Sequence, residues 1–335
     1  MDEFDYRKQA QDYYSQAPVV VLGSGASAAF GLPSMNTLGE YLIKSVSTSD
    51  DQRCIDVWAR FTALLSEGTD LESALTQVHL PPFLGEQVVS KTWELINEID
   101  IATYNKSLQD QNFFPLSKLI RSLFNSTHVE LNIVTTNYDR LAEYAVEQAG
   151  YNHFTGFSTG FTRRMLNENN LKGRVVNIWK VHGSLDWHEA PTRVICGLSH
   201  LDKVPDGYIP QIVTPGIEKY QRTHNLPFRD IIASSDRAIQ RGRSYLCIGF
   251  GFNDSHIQPK LIQKCLQENS SIVVITYSLS DMVKDFLFKQ KVQQYLAIER
   301  GSNDQQSIIY SSQHDGPITV EHDCWSLGGY LKLII

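Results

Sequence analysis

The stretch VVVLGSGASAAFGLPS, Val19 to Ser34, sets four apolar β-formers directly before a glycine-rich turn. Within it Gly23-Ser24-Gly25-Ala26-Ser27-Ala28 satisfies G-x-G-x-x-G/A, and the segment from Ser34 onward has helical apolar spacing. A strand that passes through such a turn into a helix is the opening unit of an open parallel α/β sheet. Gly23 permits a tight turn and Gly25 lets a backbone approach a pyrophosphate, while Ser24 and Ser27 offer hydroxyls. Gly23, Ser24, Gly25, Ala26 and Ser27 are therefore the candidate phosphate-holding segment. The same glycines would also serve plain strand–helix packing. No Gly-Lys-Ser/Thr follows, so the turn is not a Walker loop. The acidic ribose ligand of a dehydrogenase, expected about 20 residues on, is missing. Instead Phe30-Gly31-Leu32-Pro33-Ser34 forms a punctuated loop that would fold over a bound cofactor, with Pro33 facing it.

Outward from this unit the chain separates into two patterns. Between residues 48 and 116 the apolar positions Trp58, Phe61, Leu64 and Leu65, then Leu71, Leu75 and Val78, recur at helical spacing without an intervening strand. This segment is expected to be an all-helical insertion. Beyond it strands and helices alternate. Strands are expected at 129–135, 174–181, 192–196, 209–213, 244–248, 271–276 and 317–321, with helices at 228–240, 257–267 and 281–288. The expected architecture is α/β: a Rossmann-like, doubly wound, mostly parallel sheet with an inserted helical module (48–116), in a single domain of residues 1–335.

Composition narrows the function classes. A net charge of −7 with scattered Lys and Arg argues against nucleic-acid binding, which needs clustered positive charge. The five cysteines are widely spaced with no C-x-x-C, which fits a reducing compartment and argues against a structural zinc. The polar, acidic start MDEFDYRKQAQDYYSQ does not read as a signal peptide, and no apolar run is long enough to span a bilayer. A cytoplasmic protein without membrane contact is expected.

Three further segments carry polar clusters at strand ends. In IVTTNYDRLAEYA (Ile133–Ala145) a strand ends at Thr135-Thr136-Asn137-Tyr138-Asp139. In an open parallel sheet such residues face the crevice at the carboxyl edge, the same one the glycine turn faces. Asn137 or Asp139 would also serve as a helix cap, although a cap needs one residue and not five. In IWKVHGSLDWH (Ile178–His188), His182 follows an apolar strand and precedes Gly183. A histidine there is either a structural hydrogen-bonder or a general base. In YLCIGFGFNDSHI (Tyr245–Ile257), Gly249, Gly251 and Asn253 are candidate contacts to a cofactor. The plainer reading is a turn closed by Asn253 or Asp254 as a helix cap.

Taken together and in order, the four segments resemble the sirtuin family. GSGAS with GLPS is similar to its glycine-alanine-glycine loop and the glycine-isoleucine-proline continuation. TTNYD is similar to its threonine-glutamine-asparagine-isoleucine-aspartate box, VHGS to the strand end bearing its catalytic histidine, and IGFGFND to its glycine-threonine-serine turn. The resemblance covers about residues 17–43 and 130–280. Two departures matter: the paired C-x-x-C zinc module of the protein deacylases is missing, and Pro33 is followed by Ser34-Met35-Asn36 rather than Asp-Phe-Arg. The pattern is closer to the sirtuin-like domains of bacterial antiphage defence proteins, which degrade NAD. That resemblance implies NAD as substrate, with Asn137 positioning water or ribose, His182 as general base and Asp139 ordering the pocket. Gly23–Ser27, Pro33 and Thr136 would line the cofactor site and Gly249, Gly251 and Asn253 would face the adenosine half. It further implies no zinc, a homo-oligomer, and a HerA-type hexameric ATPase as partner. The competing readings are an NAD-dependent protein deacylase, a non-catalytic module sensing NAD or ADP-ribose, and a dehydrogenase.

Overall fold

Strand β1 (Val19–Leu22) is buried at every position, and its side chains alternate between two hydrophobic cores: Val20 and Leu22 enter one, Val19 and Val21 the other. A strand covered on both faces must sit inside a parallel sheet with helices on either side. The structure, a computed structural model, describes residues 4–166, 171–214 and 226–335. Among them β1 pairs in parallel with β2 (Glu130–Thr135) on one side and β9 (Ser244–Ile248) on the other. The sheet continues through β5 (Val175–Lys180) to β3 (Asn152–Phe154), and in the other direction through β10 (Ser271–Thr276) to β11 (Tyr295–Arg300), all parallel. Two antiparallel strands, β12 (Ser307–Ser311) and β13 (His314–Val320), close the far edge. The fold is thus α/β with a mostly parallel central sheet. Strand order reverses between β1 and β9, which is where such sheets place ligands.

One face is covered by α1 (Tyr6–Tyr14), α7 (Pro115–Phe124), α8 (Leu141–Gln148) and α12 (Leu327–Ile334). The other is covered by α9 (Phe228–Arg241), α10 (Gln258–Gln267) and α11 (Asp281–Lys284), the last continuing as a π turn over Asp285–Lys289. Among the described residues no helix is long and apolar enough to cross a membrane.

The helical spacing read between 48 and 116 becomes α4 (Gln52–Ser66), α5 (Leu71–Gln77) and α6 (Pro82–Ser107). Asp51 and Asp70 cap α4 and α5 by accepting the N–H groups of Arg53 and Ser73, both at 2.9 Å. Trp58, Phe61, Leu71, Leu75 and Val78 close a core of their own, joined by Leu38 and Leu42 of α3 (Met35–Ser45), which follows the short α2 (Ser24–Ala28), and by Val46 just beyond it. The unit therefore draws in the helix that follows the glycine turn.

Two expected strands lie elsewhere than in the main sheet. Residues expected at 192–196 and 209–213 form β7 (Ile195–Leu198) and β8 (Ile209–Ile212) of a separate antiparallel sheet. Its other members are β4 (Thr162–Arg164) and β6 (Gly183–Glu189). The chain leaves the parallel sheet at Gly183, whose φ of +90° and contact with the Gln211 carbonyl exclude a Cβ. The segment expected at 317–321 lies in antiparallel β13, not in a parallel strand. Residue alternation marks a strand but does not say which partner it takes.

The module is tied to the sheet through one buried charge pair. Asp100 of α6 accepts from the Arg140 backbone N–H at 2.6 Å and from its Nε and Nη2 at 2.9 and 2.7 Å. The Tyr144 hydroxyl adds a further bond at 2.5 Å, and Asn97 Oδ1 accepts from Arg140 Nη2 at 2.9 Å. Removing the carboxylate would strand a buried guanidinium. Asp100→Ala is expected to cost about 3–5 kcal/mol of folding stability, read as a lowered urea midpoint. An unchanged midpoint would show that the tie carries no stability.

Candidate active site

The loops at the carboxyl ends of β1, β2, β5 and β9 enclose a cleft of about 250 Å³. Its shape begins with the glycine turn. The Gly23 N–H continues the ladder to the Ile248 carbonyl and the Gly25 N–H reaches the Gly249 carbonyl, both at 3.1 Å. A Cβ on Gly23 would lie 2.4 Å from the Gly249 oxygen, and one on Gly249 would lie 2.3 Å from the Ala26 nitrogen. These glycines approach each other, and the two loops lock back to back. The loop after β9 is held from beneath by Phe250 and Phe252, buried with ring centres 5.0 Å apart, while Gly251 and Asn253 face the cleft.

The turn after β2 is bonded into this frame. Thr135 Oγ1 donates to the Leu22 carbonyl at 3.0 Å and accepts the Asn137 N–H at 3.0 Å. Asn137 Nδ2 donates to the Gly23 carbonyl at 2.9 Å and to Ser27 Oγ at 3.0 Å. The Gly23 carbonyl only accepts, so the amide orientation is set and Oδ1 is the atom left for a ligand. Ser27 Oγ donates in turn to Asp139 Oδ2 at 2.8 Å, and Asp139 Oδ1 accepts the Leu141 N–H at 3.2 Å. Asp139 thus serves the start of α8 and the pocket together. Beneath it Lys180, fully buried in β5, donates to the Asp139 carbonyl and pairs with Glu143 at 2.9 Å.

His182 stands just beyond β5, its carbonyl accepting the Val213 N–H at 2.8 Å. The Val213 carbonyl accepts from the Tyr138 hydroxyl at 2.6 Å, closing that wall. His182 Nε2 lies 2.9 Å from Asp254 Oδ2 and is sealed from solvent, the two atoms close but not aligned as a hydrogen bond. The far wall belongs to the helical module, through Met35, Leu38, Glu72 and Ile96.

Of the residues expected at the site, Gly23, Ser24, Ser27 and Pro33 from the first unit line the cleft, as do Thr136, Asn137 and Asp139 after β2. His182, Gly251 and Asn253 complete the set that the structure brings together. Gly25, Ala26 and Gly249 stand outside the lining. The Gly25 amide is occupied by Gly249, and the Ala26 amide donates to the Gly23 carbonyl at 3.0 Å. Glu72 went unnoticed from sequence, and Asp254 was visible only as a helix cap. Among the described residues no group of three or more His, Cys, Asp or Glu is arranged to hold a metal.

Burial pushes the Asp139 carboxyl up to about 6, against the Lys180 ammonium and with the help of Asp100. Between the ordinary 3.8 and about 6 the folded carboxyl keeps a proton that the unfolded chain has lost. Its contribution to stability therefore falls as pH rises through that window. Asp139→Asn lacks this titration. Its stability relative to the unsubstituted protein is expected to improve by on the order of 2–3 kcal/mol from pH 4 to pH 6.5 in urea unfolding. A difference flat in pH would mean that Asp139 is ionised throughout.

The model of the SIR2-like domain family matches residues 131–322, more than half of the chain, a span that holds Asn137, His182 and Asp254. Similar solved structures include a mutant Sir2 homologue in complex with ADP-ribose, at 15% identity over 84% of this chain and 88% of that one, with a TM-score of 0.47. A Sir2 homologue–NAD complex is similar at 14% identity over 88% of each chain, TM-score 0.43. Sir2Tm bound to a propionylated peptide is similar at 14% identity over 83% and 89%, TM-score 0.42. No curated protein matches the chain. The chain belongs to the SIR2-like domain family.

Proposed function

We propose that this protein is an NAD+ glycohydrolase that cleaves the nicotinamide–ribose bond to give nicotinamide and ADP-ribose. The observation that carries the reading is the convergence of Asn137 and His182 on one cleft whose described lining holds three carboxylates, Glu72, Asp139 and Asp254, and no Lys or Arg. Breaking the bond between C1′ and the nicotinamide nitrogen sends the electron pair to a neutral leaving group and leaves an oxocarbenium-like cation. A cleft with a negative lining favours that charge.

In this reading Asn137 Oδ1 accepts a hydrogen bond from the attacking water or a ribose hydroxyl. His182 takes the proton from the water as its oxygen bonds to C1′. Asp139 keeps Ser27 and Asn137 in place, and Pro33 covers the ribose. Ser24, exposed at the mouth, is the part of the glycine turn left to meet the pyrophosphate, since the Gly23 and Gly25 amides are bonded within the fold. Gly251 and Asn253 extend the surface toward the adenosine half. The missing paired zinc cysteines favour NAD itself over an acylated protein as the substrate.

On the resemblance to antiphage proteins we further propose that this activity serves defence by NAD depletion, held in check by assembly into a homo-oligomer that docks a HerA-type hexameric ATPase in the cytoplasm. Ile55 and Phe83, exposed on the helical module, are candidates for such a contact.

Chromatography of NAD incubated with the protein tests the reading, with an acetylated peptide in a parallel tube and a HerA-type ATPase added in a third. Nicotinamide and ADP-ribose are expected from the unsubstituted protein, with the peptide untouched. His182→Ala and Asn137→Ala are each expected to lower turnover by about 10²–10⁴-fold with their urea midpoints retained. Deacetylated peptide, or full turnover by both variants, would overturn it.

A further inference from the structure

Asp254 puts its two oxygens to different uses. Oδ1 accepts the N–H groups of His256 at 2.9 Å and Ile257 at 3.0 Å, which fixes the carboxylate at the entry to α10. Oδ2 is the oxygen at His182 Nε2, 2.9 Å away, with the side chains only 6% and 12% exposed. Capping alone would be served by Asn or Ser; the second oxygen is spent on the imidazole.

We propose that Asp254 is a positioning residue for His182, holding the ring with its proton on Nε2 and leaving the Nδ1 lone pair as the proton acceptor in the cleft. An ionised carboxylate only accepts, so the nitrogen facing it must carry the hydrogen. Nε2 is sealed from solvent, and the exposure that the side chain retains falls on the rest of the ring. The His256 ring stands edge-on at 6.3 Å, the Tyr138 hydroxyl is committed to Val213, and Asp139 is committed to Ser27 and Leu141. Glu72 faces the cleft from α5, across from the loop that carries Asp254. The role rests on the reading of His182 as general base, but the tautomer does not.

Asp254→Asn separates the two duties. The N–H groups of His256 and Ile257 keep the amide oxygen at the cap, which turns Nδ2 toward His182 Nε2. A donor there moves the ring proton to Nδ1 and removes the lone pair from the cleft. Two readouts follow: ¹⁵N shifts of the His182 imidazole, identified by their loss in His182→Gln, and steady-state kinetics with NAD. The expected result is Nε2–H in the unsubstituted protein and Nδ1–H in Asp254→Asn, with kcat down by about 10²–10⁴-fold and KM changed less than threefold. Asp254→Ser, which keeps a cap but neither charge nor amide, is expected to show mixed tautomers and an intermediate kcat. It is also the variant to use should Asp254→Asn not fold. The same tautomer in all proteins, or Nδ1–H in the unsubstituted one, overturns the proposal, as does an inverted tautomer with unchanged kcat. The expected tautomers without NAD cleavage by the unsubstituted protein, either alone or with a HerA-type ATPase added, would leave the Asp254–His182 tie standing and overturn the glycohydrolase reading alone.

Discussion

The contact on which the site depends is one in which no side chain takes part. At the point where strand order reverses, the backbones after β1 and β9 press together at Gly23, Gly25 and Gly249, closer than any Cβ would allow. Because the two loops seal against each other there, the open space lies to one side, above β1, β2 and β5. Asn137 is then bonded to the Gly23 carbonyl and Ser27, and Asp139 to Ser27, so both take their positions from the glycine loop. Placement follows from side-chain bonds to a loop whose backbone is already fixed at the sheet's end, which is why short polar residues suffice.

Much of this was legible in the residues. Apolar, β-branched runs mark strands buried on both faces, so β1, β2, β5, β9 and β10 could be read directly, whereas the parallel strands β3 and β11 could not. The polar clusters at the ends of those strands could be read too, because a parallel sheet has a single carboxyl edge. What stayed hidden depended on tertiary partners. The second sheet escaped because alternation at 195–198 and 209–212 is equally compatible with either sheet, and the decision falls to a positive φ at Gly183. Asp100 lies between Ile99 and Ile101 on a long helix, where a lone acid reads as solvent-facing. Its partners are 40 and 44 residues away. Lys180 offered the better hint: a lysine within an otherwise apolar, buried strand must have partners waiting, and here they are Glu143 and the Asp139 carbonyl.

The glycines show how one motif admits two meanings. In a dinucleotide fingerprint the second glycine lets a phosphate approach the backbone. Here Gly25 instead admits Gly249, and its amide is occupied. In the proposed reading Ser24, exposed at the cleft, takes over the anion-facing part of the turn, while the lining carries Glu72, Asp139 and Asp254. That division suits a ligand with anionic and cationic ends, with the positive end inside.

The bond between the Arg140 amide and Asp100 crosses from the sheet body to the helical module. Amides within β1 or β2 report on opening of the sheet itself, whereas this one exchanges its hydrogen with solvent only when α6 lifts away. A single backbone site thus acts as a clock for undocking of the module. Because Arg140 directly follows Asp139, each such excursion also loosens the turn that holds Asn137. The docking of α6, which also brings Ile96 to the cleft wall, and the shape of the cleft are in this way tied to one bond.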